Sequence, residues 1–127
     1  VNSSVQNILV DYSTKPFSYN GTADCCAFVC DIVKALTGRN LMESFRYNNE
    51  AEAEAAIKQY GTLKDLVTAI VGPSVPLKGY ATGDIVVVQL STGEWIVGVV
   101  LFDRIAVRTK KSLTDWPIEY ATCRWRV

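Results

Sequence analysis

Polar and apolar positions along this chain change period once, near residue 73, and the two halves predict different structure. In the first dozen residues Val5, Ile8 and Leu9 recur at helical spacing behind Ser3 and Ser4, either of which can cap, so a short helix is expected. Lys15-Pro16-Phe17-Ser18-Tyr19-Asn20-Gly21 interrupts it as an irregular segment, because proline fixes one dihedral and Asn-Gly favours a turn. From Ala23 to Thr37 the pattern predicts a longer helix, opened by Thr22 or Asp24 and ended by Gly38. Asp24, Asp31 and Lys34 share one narrow stripe of that helix, and the rest of its surface carries Cys25, Cys26, Phe28, Val29, Cys30, Ile32, Val33 and Leu36. A helix so widely apolar belongs at the centre of a fold. A third helix is expected from about Glu50 to Tyr60 behind Asn48 or Asn49, and a fourth from Thr62 through Val71, stopped by Gly72-Pro73.

Beyond the link from Pro73 to Pro76, β-branched runs predict strands at Ile85 to Leu90, Trp95 to Phe102, Arg104 to Thr109 and Tyr120 to Val127. Ser91-Thr92-Gly93-Glu94 and Phe102-Asp103-Arg104 are short enough for hairpins, so the sheet should be antiparallel. Helices first and strands afterwards is an α+β layout, with N-terminal helices packed on a C-terminal antiparallel sheet. The 127 residues, 49% of them hydrophobic, suit one compact domain over 1–127.

Charge narrows the partners. Thirteen Lys plus Arg balance thirteen Asp plus Glu, and the basic residues gather only weakly, at Arg104, Arg108, Lys110 and Lys111. Phosphate backbones demand concentrated positive charge, so no nucleic acid is expected. No apolar run approaches the ~18 residues of a membrane span, and Val1-Asn2-Ser3-Ser4 lacks the basic flank of a signal peptide, so a soluble, unprocessed chain with no membrane partner is expected. A net charge near zero gives little colloidal repulsion, which is better tolerated inside an assembly.

The cysteines are Cys25, Cys26, Cys30 and Cys123. Three crowd one helical segment at spacings unsuited to disulfides, which argues for a reducing interior. Without a paired C-x-x-C spacing or any histidine, no metal and no cofactor are expected. Cys25 and Cys26 head the central helix, where backbone N–H groups and the helix dipole stabilise a thiolate. Cys25 is accordingly either a small buried apolar residue or a reactive thiol.

The segment Pro16-Phe17-Ser18-Tyr19-Asn20-Gly21, followed by Asp24-Cys25-Cys26-Ala27-Phe28-Val29, resembles the NlpC/P60 signature of a Pro-aromatic-x-aromatic-Gly loop before Asp-Cys-Ser-Gly-aromatic-Val. Gly83-Asp84-Ile85-Val86-Val87 resembles that family's Gly-Asp-Leu-Val strand, and Trp95-Ile96-Val97-Gly98-Val99-Val100 its His-Val-Gly-Ile-Tyr strand. The resemblance covers roughly Pro16 to Arg108. It implies a papain-like single domain with Cys25 at the nucleophile position and Ile96 at the histidine position. The Asp-Cys-Cys-x-Phe helix, Leu36-Thr37-Gly38-Arg39 and Arg124-Trp125-Arg126-Val127 are further similar to phage and prophage proteins of the same superfamily.

The departures from the signature decide the expected function. The chain contains no histidine, so no imidazole can serve as base or orienter for Cys25. Cys26-Ala27 replaces Ser-Gly and adds bulk beside the nucleophile position. Asp24 is better explained as a helix cap, and a carboxylate near a thiol opposes thiolate formation. No catalytic residue is therefore expected. The resemblance implies a non-enzymatic structural or assembly protein of a phage virion, in the tail or head–tail junction, assembled in the host cytoplasm. Its partners would be other tail or connector proteins, with copies closing into a homo-oligomeric ring. Phe17, Tyr19 and Trp116 are candidate protein contacts, Trp116-Pro117 being placed in a loop. Trp95 and Trp125 either line a groove or pack the sheet. The alternatives are an active peptidoglycan-degrading cysteine peptidase or amidase using Cys25 with an unrecognised base, and a module that binds cell wall without turnover.

Overall fold

In the computed structural model, which describes residues 3–18, 23–44 and 46–127, the change of period near residue 73 becomes a change from helices to sheet. Among the described residues four helices come first: α1 Ser3–Thr14, α2 Cys25–Thr37, α3 Glu50–Tyr60 and α4 Leu63–Val71. Five strands follow: β1 Ile85–Gln89, β2 Trp95–Leu101, β3 Arg104–Arg108, β4 Leu113–Pro117 and β5 Cys123–Trp125. They pair antiparallel in the order β4-β3-β2-β1-β5. The fold is α+β.

Local chemistry sets the helix ends. Asp24 caps α2 by accepting from the Ala27 N–H at 2.8 Å, and Gly38, at φ 79, closes it by donating to the Lys34 carbonyl at 2.8 Å. Asn49 caps α3, and Thr62 with Asp65 forms a capping box at α4. The other cap proposed for α2, Thr22, and the Asn20-Gly21 turn lie outside the described residues.

Both faces of the sheet are covered. On one face Ile85, Val87, Val97, Val99, Ala106 and Trp125 pack against Phe28, Val29, Ile32 and Val33 of α2, flanked by Val5 and Tyr12 of α1 and Leu63, Leu66 and Val67 of α4. α2 is thus the buried central helix that its wide apolar surface predicts. On the other face Val86, Val88, Ile96, Val100, Ile105 and Val107 form a second core. Gly98 lets β2 and β3 approach there: a Cβ at Gly98 would lie 2.7 Å from both Ile105 Cγ2 and Val107 Cγ1.

Two sequence expectations are corrected in the C-terminal third. Trp116 is not in a loop; it lies in β4 opposite Ile105, half-buried, with its ring centroid 5.7 Å from that of Tyr120. Leu113–Pro117 contains a single β-branched residue and ends in proline, so its composition does not announce a strand, yet the open edge of a sheet accepts it. The strand expected over Tyr120 to Val127 shrinks to Cys123–Trp125, because Ile118–Tyr120 turns the chain so that β5 can return beside β1.

Arg124 of β5 anchors the link between α4 and β1. Its guanidinium meets Asp84 at 2.6 Å and also donates to the carbonyls of Pro76, Lys78 and Gly79, while the Arg124 carbonyl accepts from Val75 N–H at 2.8 Å. Asp84 accepts in turn from Ala81 N–H at 3.0 Å. Both charges are buried and paired, which is the condition under which a fold retains them.

Candidate functional site

The site is assembled at the N-terminus of α2. Asp24 is buried beneath Tyr47, whose hydroxyl donates to the second carboxylate oxygen. Burial pushes the Asp24 carboxyl above its ordinary value, and the hydrogen bonds from Tyr47 and the Ala27 N–H pull in the other direction. Burial also raises the Tyr47 phenol, so it stays a proton donor to Asp24.

Cys25 follows this cap directly. It is half-buried, in contact with both cores, and it lines two clefts. One cleft, of about 210 Å³, is bordered by Asp24, Tyr47, Glu50, Glu54 and Trp95. The other, of about 290 Å³, is bordered by Phe17, Leu90, Thr109 and the cations Arg108, Lys110 and Lys111. Cys25, Glu94 and Ile96 are common to both. The thiol stands on a boundary between acidic and basic surface, bridged in part by Lys110 Nζ at 3.8 Å from Glu50.

Of the remaining thiols Cys30 is buried, and Cys26 and Cys123 are half-buried. Cys26 is pushed up by its hydrogen bond with Cys25 and by burial, and burial pushes Cys30 up to about 12. Cys123 sits in β5 on the helix-covered face. Among the described residues no group of three or more Cys, Asp or Glu is placed to hold a metal ion.

Ile96 lines both clefts with Cys25. A nucleophilic thiol needs a base within hydrogen-bond reach. The two positions paired by the sequence resemblance, Cys25 and Ile96, do share the same clefts, and the partner offered to the thiol is an aliphatic side chain. Glu94 is an ionisable residue that lines both clefts with Cys25.

Of the candidate contact residues, Phe17 is half-buried in the basic cleft, its ring 5.4 Å from the Arg108 guanidinium. Trp116 is in β4, and Tyr19 lies outside the described residues. Trp95 is exposed at the rim of the acidic cleft, whereas Trp125 is wholly buried. Sequence reasoning missed Tyr47, Glu94 and the role of Arg108. Three members of the weak basic group, Arg108, Lys110 and Lys111, come together at Cys25, while Arg104 pairs with Asp115 at 3.0 Å.

Compared with known families, residues 1–127 match a family model described as a domain of unknown function, DUF6950. No curated protein matches the chain.

Proposed function

The chain belongs to the DUF6950 family, and from that premise we propose that it is a non-hydrolytic domain of the NlpC/P60-like, papain-like kind, serving as a structural or assembly part of a phage particle. The observation that carries this reading is Cys25 set against Ile96 at the head of α2, in a chain with no histidine. A helix N-terminus alone lowers the cost of a thiolate but accepts no proton from it, so the hydrolytic cycle has no base. The likeness of the Asp24-Cys25-Cys26 helix and of the Arg124-Trp125-Arg126-Val127 end to phage proteins supports the setting, in the tail or at its junction with the head.

Surface features support a docking role. Phe102 is 63% exposed at the β2–β3 turn and holds a positive φ of 61, where a bulky side chain is disfavoured. Its N–H donates to Thr82 Oγ1 at 2.8 Å, which fixes the turn. Val10, 60% exposed on α1, borders the same shallow cleft of about 770 Å³. An apolar pair held outward in this way is contact material for a neighbouring subunit, in a closed ring or against another tail protein.

The test is complementation of a phage deleted for this chain. Cys25→Ala should restore infectious particles as fully as the natural sequence, and the protein should co-purify with those particles. Loss of complementation by Cys25→Ala, together with release of soluble peptidoglycan fragments by the natural protein alone, would establish the cysteine hydrolase instead.

A further inference from the structure

Two buried arginines in this fold are provided for differently. Arg124, 4% exposed, meets the Asp84 carboxylate at 2.6 Å. Arg108, 5% exposed, has neutral partners among the described residues: Nη1 donates to the Thr109 carbonyl, Nη2 donates to the Lys15 carbonyl at 3.2 Å, and the Phe17 ring lies beneath. Its Nε is buried with no hydrogen-bond partner, and no carboxylate of the described residues forms an ion pair with it. A guanidinium remains protonated at every accessible pH. A buried charge without a counter-ion is costly, so a fold that keeps one carries an unmet demand for an anion.

Arg108 lines the basic cleft beside Cys25, and the rest of that wall defines what the anion must be attached to. Lys110 and Lys111 add positive charge against one acid, Glu94. Phe17, Leu90 and Ile96 supply apolar surface in the same space of about 290 Å³, at the small end of ligand pockets. We propose that this cleft is a receptor for a carboxylate carried on an apolar group, as presented by the C-terminal residue of a partner protein. The carboxylate pairs with Arg108 and is steered by Lys111, and the terminal side chain packs on Ile96 and Leu90. A phosphate ester would satisfy the charge but would leave the apolar wall unfilled. The inference goes beyond the assembly role, since the cleft binds its ligand whether or not the domain is in a particle.

The test is a nitrogen-15 NMR titration of the full chain with N-acetyl-leucine and, separately, with its carboxamide. The free acid should give saturable shifts at Arg108 Nε–H and at the backbone amides of Thr109 and Lys111, and the carboxamide should give none. Lys111→Glu, a change at an exposed position, should weaken binding about fivefold or more, and Arg108→Gln should abolish it. Because Arg108→Gln alters a buried residue and is liable to unfold the domain, Lys111→Glu provides the independent check. Equal shifts with acid and carboxamide, or no saturable shift with the acid, would overturn the proposal. Inorganic phosphate matching N-acetyl-leucine in affinity would also overturn it, because the apolar wall would then contribute nothing.

Discussion

At the head of α2 one carboxylate serves two partners: Asp24 accepts the Ala27 N–H with one oxygen and the Tyr47 hydroxyl with the other. The first bond is a helix cap and is written locally, three residues apart; the second joins residues 23 apart and has no sequence signal. Its pH behaviour follows from the direction of its shift. The folded carboxyl is held above the ordinary 3.8, so just above 3.8 the folded state binds more protons than the unfolded one. The stability this group contributes is fully present below 3.8 and is lost as pH rises through the folded value. Asp24→Asn keeps an acceptor for Ala27 and cannot titrate. Urea unfolding across a pH series should therefore show the natural protein gaining on Asp24→Asn as the solution is acidified toward 3.8. A gain in the opposite direction would mean that the two hydrogen bonds to the carboxylate outweigh its burial.

Among the elements, the helices were the most legible. α3 begins and ends where its periodicity and the Asn49 cap place it, and α4 where Thr62 and Gly72 do, because capping and amphipathic spacing act within one or two turns. β4 was illegible for the converse reason: an edge strand buries little, so Leu113–Pro117 needs no β-branched run, and the strand exists because β3 offers it a partner. β2 carries a constraint that only its neighbour reveals. Gly98→Ala would bring a methyl within 2.7 Å of Ile105 and Val107 and 3.1 Å of the Ala106 carbonyl. Overpacking of that kind should cost about 1–3 kcal/mol, read as a lower urea midpoint. An unchanged midpoint would show that β3 can withdraw without loss.

Across the whole molecule, stability and site depend on pairings between the layers. The Arg124–Asp84 pair joins the last strand to the link that precedes the first, which β2 also holds through Gly83 N–H donating to the Val100 carbonyl at 2.8 Å. Arg124→Met alone should destabilise by about 3 kcal/mol, because it leaves the buried Asp84 carboxylate to the more distant and exposed Arg126 guanidinium, 3.6 Å away. Adding Asp84→Asn should recover part of that loss, and a double-mutant cycle measures the coupling. Equal and additive losses in the two single variants would mean that the link is held by its backbone contacts instead. The sequence alone determined the α+β order, the antiparallel run of β1 to β3, the central position of α2 and the absence of an imidazole, since period, turn length and composition are local patterns or simple counts. Only the tertiary structure decided which groups meet: Tyr47 over Asp24, Cys25 against Ile96, Arg124 with Asp84, and Arg108 buried in the cleft that Cys25 lines, with no ion pair among the described residues. Those pairings join residues far apart in the chain, and their partners are chosen by how the helices and sheet pack, which no pattern along the sequence encodes.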